Sequence, residues 1–244
     1  MRPEFVAQYA DLEQRHFWHL ARRRIVLEVL RRFVQQPSGR KPRLLDVGCG
    51  AGTNLLHFKQ AQFECVGIEP DATLVNQAKA ASGVPVWHTG LPLREAIDGL
   101  FDVIVLLDVL EHIDDDRGAL VSLRRSVRRG GIVVLNVPAH PRLWSALDEM
   151  NQHRRRYTRA SLCSVLEEGG YRVRYVRFWG SLGCPLVFLQ RWLLLSQRQV
   201  PYTAYVPPPA LNAMLRRLLW WEFLATEHVK LPFGVSLLAV AQRL

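Results

Sequence analysis

The sequence contains few cysteines, and none is placed as a disulfide framework or a zinc site would require. The thiols are scattered, without a C-x-x-C pair or a histidine at metal-ligand spacing, at Cys49, Cys65, Cys163 and Cys184. Small secreted domains and zinc modules pair their cysteines at short, regular intervals. The distribution therefore favours reduced, buried thiols in a cytoplasmic protein.

Long apolar runs are also missing. The longest candidate, residues 185–195, is interrupted by Gln190 and Arg191, whereas a membrane-spanning helix needs about 20 apolar residues. Residues 1–12 are polar and lack the apolar core of a signal peptide. We therefore expect a cytoplasmic location without a transmembrane span, and peripheral contact with the inner face of the membrane stays open.

Lysine is rare, so the net charge of +10 rests mostly on arginines, which form small clusters on separate segments. No DNA- or RNA-binding motif is recognisable, and we expect no nucleic-acid partner. Three interpretations of the charge stay open: arginine-rich helical surfaces, attachment to anionic lipid, and an anionic substrate. With 244 residues, 49% of them apolar, the chain is long enough for one α/β domain and one added element.

The most informative stretch is RLLDVGCGAGTN, residues 43–54. An apolar run reaches Asp46, three glycines follow at alternate positions, and a helix-compatible segment begins. A buried parallel strand that enters a tight turn before a helix has this pattern. Glycines allow positive φ and let a ligand approach the backbone without a Cβ in the way. The stretch therefore predicts a strand, a ligand-binding loop and a helix.

The spacing of this loop separates two cofactor classes. A dinucleotide fingerprint is G-x-G-x-x-G, but counting from Gly48 puts Thr53 where the third glycine belongs. An NAD-dependent dehydrogenase is therefore disfavoured. Asp46 lies at the carboxyl end of the strand, where open α/β sheets bind ligands, and its carboxylate suits a cation better than a pyrophosphate.

A second strand with an acidic end follows at FECVGIEPD, residues 63–71. A carboxylate at this position can accept hydrogen bonds from both ribose hydroxyls of an adenosine, which is the role that we expect of Glu69. The alternative is a helix-capping or solvated loop acid. The distance from the glycine loop favours a nucleoside ligand.

These motifs, with residues 101–113 (FDVIVLLDVLEHI) and 127–134 (VRRGGIVV), resemble class I S-adenosylmethionine-dependent methyltransferases over about residues 40–180. The similarity is to the methyltransferase type 11/23 and ubiquinone O-methyltransferase-like families. It implies S-adenosyl-L-methionine as cofactor and S-adenosyl-L-homocysteine as product. It also implies a cofactor site formed by Asp46, Gly48, Cys49, Gly50, Gly52, Asn54, Glu69, Pro70, Leu91, Asp108 and Val109.

Alternating strand and helix patterns predict a doubly wound, Rossmann-like α/β fold. Strands are expected at residues 43–47, 63–69, 84–88, 101–109, 132–137, 171–179 and 235–242, and helices at 11–35, 53–60, 71–81 and 116–129, the last ending at Gly130. The resemblance implies seven strands with the last antiparallel. We divide the chain into an N-terminal helical lid (1–40), a cofactor-binding core (41–180), a helical insert (181–234) and the final strand (235–244).

Two details of the resemblance stay open. Many relatives carry an acid after strand three that meets the adenine amino group, whereas this chain has HTGLP at residues 88–92. Adenine recognition is therefore expected from backbone groups and apolar contact. The aromatic residues HFW at 16–18 lie where such methyltransferases carry a lid over the cofactor, but they also suit an aromatic cluster packed on the sheet.

The acceptor side is expected to begin after strand four. DVLEH at residues 108–112 looks similar to ubiquinone-pathway O-methyltransferases, and Asp108, Glu111 and His112 have side chains that suit a divalent ion. The same tripeptide occurs in relatives without a metal, and capping of the next helix is the alternative. We expect no metal.

Residues 137–158, VPAHPRLWSALDEMNQHRRRYT, are similar to a bacterial methyltransferase subgroup with a P-A-x-x-x-L-W-S-x-x-D…H-x-R-R-Y-T signature. A hydroxyl acceptor needs a base near its proton. His153, oriented by Asp148, is the first candidate for that base, and His112 and His140 are its rivals.

The same signature supplies candidates for binding the acceptor. The forked guanidinium groups of Arg155 and Arg156 suit a carboxylate or phosphate of the substrate, and equally suit an ion pair with a neighbouring helix. Thr158 is expected to cap the helix that follows, so part of the signature is structural. The predicted acceptor-binding residues are His140, Trp144, Arg155, Arg156 and Tyr157.

The insert at residues 181–234 distinguishes the chain from its relatives. An apolar segment precedes the break at PPP, residues 207–209, after which leucines recur at helical spacing beside Trp220 and Trp221. Four interpretations stay open. In the first, the insert is two helices that pack together as a cap. In the others, it forms an apolar acceptor pocket, the face of a homodimer, or an interfacial helix with Arg216 and Arg217 near lipid.

The sequence therefore predicts an S-adenosylmethionine-dependent methyltransferase. O-methylation of a lipid-like, glycan or secondary-metabolite molecule is favoured, with an apolar or amphiphilic small molecule as acceptor. The alternatives are N- or C-methylation of a small molecule, and a non-catalytic nucleoside-binding partner of a membrane-associated enzyme.

Overall fold

The computed structural model describes residues 11–95, 97, 99–185, 206–227, 229 and 231–244. Residues 11–15 are helical and precede helix α1 (Phe17–Phe33). The strands are β1 (Arg43–Val47), β2 (Glu64–Glu69), β3 (Val86–His88), β4 (Phe101–Leu107), β5 (Val127–Pro138), β6 (Tyr171–Trp179) and β7 (Ser236–Arg243). The other helices are α2 (Thr53–Gln60), α3 (Ala72–Ser82), α4 (Asp116–Leu123), α5 (Ala146–Met150), α6 (Arg159–Glu168) and α7 (Pro209–Ala225), with 3-10 turns at Leu110–His112 and Pro141–Leu143.

The seven strands form one sheet in the order β3-β2-β1-β4-β5-β7-β6. Strands β1 to β5 pair in parallel, and β7 is antiparallel to both β5 and β6. The predicted seven strands with an antiparallel last strand are thus confirmed. Val47 pairs with both Ile68 and Leu106, so the carboxyl ends of β1, β2 and β4 align along one edge. Ligands of open α/β sheets bind at such an edge.

A hydrophobic core lies on each face of the sheet because successive strand side chains point to opposite faces. Leu45 belongs to the core that includes Leu120 of α4 and Leu162 of α6. Leu44, its neighbour in β1, belongs to the other core, which contains residues of α1, α2, α3 and α7. This two-sided burial explains why the parallel strands are apolar along their whole length.

Helix α3 shows the predicted start. The Asp71 carboxylate accepts hydrogen bonds from the backbone N–H groups of Thr73 at 2.8 Å and Leu74 at 3.0 Å. The helix ends at Gly83, whose φ of 61° is the left-handed conformation usual after a helix. The Asp71 cap leaves the neighbouring Glu69 available for another role.

The predicted helix over 116–129 is wrong in its second half. Helix α4 ends at Leu123, and β5 begins at Val127, which pairs with Phe101 of β4. Val127 is fully buried, and pairing with the core outweighs the helical preference of the arginine-rich segment. Gly130, expected to stop the helix, instead lies within β5 with a φ of 77°.

Helix α7 confirms the predicted helix after the proline break. It packs against α1, and Asn212 joins the two helices by accepting from Phe17 N and donating to Arg15 O, both at 2.8 Å. Most of the predicted apolar segment 185–195 lies outside the described residues. Within the described part of the chain, no helix is both long enough and apolar enough to cross a membrane.

Candidate functional site

A cavity of about 520 Å³ opens at the carboxyl edge of β1, β2 and β4. Its walls come from the loops after these strands and after β3, with additional residues from the N-terminal segment and with Gln152 and Arg154. The lining residues are Glu13, Val47, Gly48, Gly50, Ala51, Ile68, Glu69, Pro70, Asp71, Leu74, Thr89, Gly90, Leu91, Leu107, Asp108, Val109, His112, Ile113, Gln152 and Arg154. Predicted cofactor residues thus line this space together with His112, one of the candidates for the base.

The glycine loop is crowded at its outer glycines and open at its middle one. Gly52 has a φ of 82°, and a Cβ there would meet the backbone Cα of Ala78 at 2.8 Å, so glycine permits α2 and α3 to pack closely. Gly50 has a φ of 55°, and a Cβ there would meet only Glu13 Oε2, at 4.0 Å. The backbone at Gly50 is therefore accessible from the cavity, as a ligand-binding loop requires.

Glu69 fastens this loop to the second strand. Its Oε2 accepts from Gly50 N at 3.0 Å, and its Oε1 accepts from Asp71 N at 3.1 Å. Burial raises the pKa of the Glu69 carboxyl even though these two backbone donors lower it. Because Asp71 caps α3 and Glu69 is buried, Glu69 is neither the helix cap nor a solvated loop acid.

Asp46 lies under the loop. It is nearly fully buried, and its Oδ2 has no hydrogen-bond partner among the residues that the structure describes. Burial, with the nearby charges of Glu13 and Glu69, raises the pKa of Asp46 well above its usual value. Cys49, Gly52 and Asn54 also lie outside the cavity lining: Cys49 is buried with a raised pKa, and Asn54 accepts a hydrogen bond from Arg23.

Glu13 lines the cavity, and the sequence analysis did not select it. It comes from the helical segment before α1, lines the cavity beside Gly50 and is nearly fully buried. Burial raises its pKa, and the charges of Arg22 and Arg23 partly offset that effect. No local motif marks Glu13, because its partners Arg22 and Gly50 are 9 and 37 residues away along the chain.

Asp108 ends β4 in a backbone conformation with a φ of 58°. Its Oδ2 accepts a short hydrogen bond from the buried Arg22, and its Oδ1 accepts from Asn136 Nδ2 at 2.5 Å. Asn136 in turn accepts from Trp179 Nε1 at 2.7 Å, and Trp18 stacks on Trp179 with 4.1 Å between the ring centroids. Trp18 therefore forms the aromatic cluster on the sheet that was one of the two interpretations of residues 16–18.

Glu111, His112 and His153 meet beside the cavity. Glu111 is completely buried, and neither carboxyl oxygen has a hydrogen-bond partner within the described residues. Burial and the charge of Asp108 raise the pKa of Glu111 well above its usual value. One potential ligand atom from each of the three residues lies within 4.8 Å of the others. Asp108, the first residue of the sequence-based metal hypothesis, is occupied by Arg22 and Asn136, and our expectation of no metal stays a prediction.

His112 lines the cavity, and His153 lies behind it. Their rings meet edge to face at 4.7 Å between centroids. Burial and the neighbouring His153 lower the pKa of His112 to about 4. The predicted pair forms, since His153 Nδ1 lies 2.9 Å from Asp148 Oδ1. His153 itself is not among the lining residues.

The predicted acceptor-binding residues are engaged inside the protein and do not line the cavity. Arg156 donates to Asp148 and to Ala139 O, and Tyr157 OH donates to Asp116 Oδ2 at 2.8 Å. Arg155 pairs with Asp114 O and Asp116, His140 stacks on Phe178, and Trp144 donates to Glu149. Gln152 and Arg154, which the sequence analysis did not select, line the cavity in their place.

A family model described as a methyltransferase domain matches residues 17–176. A ubiquinone biosynthesis O-methyltransferase of Rhodopseudomonas palustris is 32% identical over 98 residues, which cover 38% of each chain. The matches span less than half the length of this and the next three curated relatives.

Two solved structures share the fold. A TehB-like SAM-dependent methyltransferase from Corynebacterium glutamicum is similar over 100% of both chains, with a TM-score of 0.59 and 16% identity. The N-methyltransferase NodS from Bradyrhizobium japonicum, in complex with S-adenosyl-L-homocysteine, is similar over 68% of this chain and 81% of its own, with a TM-score of 0.51 and 19% identity.

Proposed function

The chain belongs to the methyltransferase-domain family, and from that premise we propose that it transfers a methyl group from S-adenosylmethionine to a hydroxyl of a small apolar or amphiphilic molecule. The observation that carries the proposal is the cavity at the glycine loop, where buried acids surround a backbone open to a ligand. S-adenosylmethionine supplies an electrophilic methyl group on a positively charged sulfur.

The residues around the loop fit this donor. The orphaned Oδ2 of Asp46 and the carboxyl of Glu13 beside Gly50 favour a cation, because a positive charge compensates carboxylates that burial otherwise destabilises. Glu69, at the end of β2, is our candidate for the ribose hydroxyls, and Pro70 and Leu91 supply apolar surface for the adenine. In this proposal Glu13, absent from the sequence-based set, binds the methionine half.

The end of β4 is the proposed position of methyl transfer. Displacement at a methyl group requires alignment of donor and acceptor, and a rigid wall preserves that alignment. Arg22 and Asn136 hold the Asp108 carboxylate from two sides, and Val109 follows directly. Asp108 and Val109 therefore orient the donor in this proposal, and Arg22 and Asn136 are positioning residues.

His112 is our candidate for the base on the acceptor side. Its imidazole is neutral at physiological pH because its pKa lies near 4, so it can accept a proton from a hydroxyl. The Asp148–His153 pair lies behind it and holds the edge-to-face contact of the two rings. Val109, Ile113 and Leu91 make the nearby wall apolar, which supports an apolar or amphiphilic acceptor.

Calorimetric titration with S-adenosylhomocysteine, with NAD in parallel, tests the donor site. We expect selective binding of S-adenosylhomocysteine, weakened at least tenfold in Glu69→Ala by loss of a buried hydrogen-bonding carboxylate. Glu64→Ala is the matched control, because Glu64 lies on the same strand at its exposed start. Selective NAD binding, or equal loss in both variants, would contradict the assignment.

Transfer of a labelled methyl group to hydroxylated amphiphiles and to matched amines tests the acceptor side. His112→Ala should lower turnover about 10² to 10⁴-fold while leaving affinity for S-adenosylhomocysteine intact. The wild-type pH–rate profile should stay flat from about pH 6 to 8 and fall only towards the His112 pKa of about 4, where the base becomes protonated.

The other outcomes of this assay separate the alternatives. Loss of turnover in His153→Ala, with turnover kept in His112→Ala, would assign the base to His153. Methylation of the amines alone would establish N-methylation. Binding of S-adenosylhomocysteine without transfer to any acceptor would favour a nucleoside-binding partner of another enzyme.

A further inference from the structure

Helix α7 has one face packed on the protein and an apolar face in solvent. Leu219, Glu222 and Phe223 are buried. On the other side, four residues at helical spacing form what we term the apolar stripe: Leu211, Met214, Leu218 and Trp221, which are 41%, 56%, 45% and 65% exposed. Large apolar side chains are rarely aligned in solvent without a partner.

The exposed apolar surface continues beyond the helix. Glu222 accepts from Ser181 N at 2.7 Å and from Leu182 N at 3.1 Å, and Ser181 Oγ donates to Phe233 O at 2.6 Å. These bonds fix Leu182 and Phe233 beside the carboxyl-terminal half of α7, and both are exposed, at 56% and 41%. Exposed apolar residues near the end of α7 are thus not limited to the stripe.

The solvent-exposed charges on helix α7 have one sign. Glu222, the single acidic residue of α7, is turned inwards and buried. Arg217 is exposed next to the stripe, Arg216 is partly exposed, and the exposed Arg24 of α1 lies over the ring of Trp220 at 4.0 Å. Helix α7 therefore presents apolar and cationic side chains and no acidic side chain to solvent.

We propose that the apolar stripe and its arginines bind the surface of an anionic lipid bilayer. A helix with an apolar face, a tryptophan and flanking arginines lies in the interface and gains both apolar burial and attraction to lipid phosphates. A second copy fits less well, because packing stripe on stripe brings the same arginines of two chains together without an acid between them.

This placement also orients the cavity. Asn212, next to the start of the stripe, is bonded to Arg15 and Phe17, which follow Glu13 of the cavity wall by only a few residues. A bilayer under the stripe therefore lies on the side of the molecule that carries the N-terminal segment of the site. Attachment itself does not depend on the proposed acceptor chemistry.

Co-sedimentation of the whole chain with vesicles tests the proposal. We expect binding to phosphatidylcholine vesicles containing about one third phosphatidylglycerol, at least tenfold weaker binding to phosphatidylcholine alone, and loss of the difference as salt rises to about 0.5 M. Leu218→Glu should abolish binding to the anionic vesicles. Arg216→Gln and Arg217→Gln should each weaken it about fivefold.

Val121→Glu is the matched control, since Val121 is an apolar residue of helix α4 that is 47% exposed outside the stripe. It should bind vesicles like the wild type, and Leu218→Glu should bind S-adenosylhomocysteine like the wild type. If Leu218→Glu fails to fold, the milder Met214→Gln replaces it and should weaken binding several-fold.

Three results would overturn the proposal. The first is equal sedimentation of the wild type and both stripe variants. The second is a dimer in light scattering that Met214→Gln dissociates, without vesicle binding, which would assign the stripe to a second copy. The third is that the wild type does not bind vesicles and that Met214→Gln lowers the melting temperature. This result would assign the stripe to contact with a segment of this chain, residues 186–205.

Discussion

Asp108 combines a rare backbone conformation with an ion pair to the buried Arg22. Positive φ is uncommon for residues other than glycine and costs of order 1–3 kcal/mol, so the surrounding structure must enforce it. Here Arg22 and Asn136 hold the side chain, and Asn136 O accepts from Asp108 N at 2.9 Å. Such strain clusters at functional sites, which agrees with a role for Asp108 at the point of methyl transfer.

Substitution of two glycines separates the energetic cost of steric crowding from the cost of a left-handed backbone conformation. Gly52→Ala should lower the free energy of unfolding by about 3 kcal/mol or more, since the new Cβ meets the backbone of Ala78 at 2.8 Å and also forces a left-handed residue. Gly39 has a similar φ of 74° with no atom within 4 Å of a Cβ, so Gly39→Ala should cost only about 1–2 kcal/mol. Urea unfolding measures the free energy of unfolding of both variants. Equal losses would show that the structure around Gly52 shifts enough to relieve the crowding.

The cavity-lining residues that the sequence analysis selected are those marked by a local pattern. Gly48, Gly50 and Glu69 follow predicted strands, and strand ends of a parallel sheet meet at one edge. Arg22 could not be found in this way, because it meets Asp108 across 86 residues of sequence. Contacts between an N-terminal helix and a strand end depend on tertiary packing, which the spacing of residues along the chain does not reveal.

At the scale of elements, Asp148 joins the loop around α5 to the rest of the site. Its Oδ1 is within hydrogen-bond distance of His153 and Arg156, and its Oδ2 accepts from the backbone and hydroxyl of Ser145. The signature H-x-R-R-Y-T was interpreted as an acceptor-binding motif. In the structure its arginines and tyrosine bond to other protein groups, including the ion pairs that were the alternative interpretation of Arg155 and Arg156, and the acceptor-binding role stays a prediction.

Asp148→Ala should lower the free energy of unfolding by about 3 kcal/mol, because it leaves the buried Arg156 without its counter-charge. Glu149→Ala, at the adjacent exposed position of α5, should change it by about 0.5 kcal/mol or less. Urea unfolding of both variants gives the comparison. Similar stability for the two would mean that Arg156 finds another partner and that the network does not hold the loop.

The boundary between α4 and β5 shows why element ends were harder to predict than element types. Helical periodicity continues past Leu123, and Gly130 is the residue type that commonly follows the end of a helix. Strand pairing decides instead, since Phe101 N donates to Ser126 O at 2.8 Å and Val127 enters the sheet next to Phe101. By contrast, β6 is observed over the predicted Tyr171–Trp179, because its β-branched and aromatic residues leave little helical alternative.

At the scale of the molecule, several acids are buried together in a protein of high positive charge. Burial raises the pKa of Glu13, Asp46, Glu69 and Glu111. A carboxyl with a raised pKa in the folded state contributes stability that is complete below its unfolded pKa of about 4 and is lost as pH rises through the folded value. We therefore expect these four acids to lower the free energy of unfolding of the ligand-free protein as pH rises above about 4, whereas the lowered pKa of His112 acts in the opposite sense between about pH 4 and 6.5.

A cationic ligand reverses this balance. Binding of S-adenosylmethionine should release protons, because its positive charge favours the ionised forms of Asp46 and Glu13, and S-adenosylhomocysteine, with its neutral sulfur, should release fewer. Calorimetric titrations in phosphate and in Tris buffer measure the number released from the difference in apparent heat. Identical heats in both buffers for both ligands would show that these acids stay protonated in the complex.

The position of β7 sets an order of events during synthesis on the ribosome. Strand β7 lies between β5 and β6, although it follows both in the chain. Until residues 236–243 emerge from the exit tunnel, β6 has no neighbour in the sheet, and β5 ends it with an open row of hydrogen-bonding groups. An unpaired edge of apolar strand is prone to join other chains. The nascent protein therefore exposes the edge of β5 until β7 is made, and we expect it to need protection from other chains during that interval.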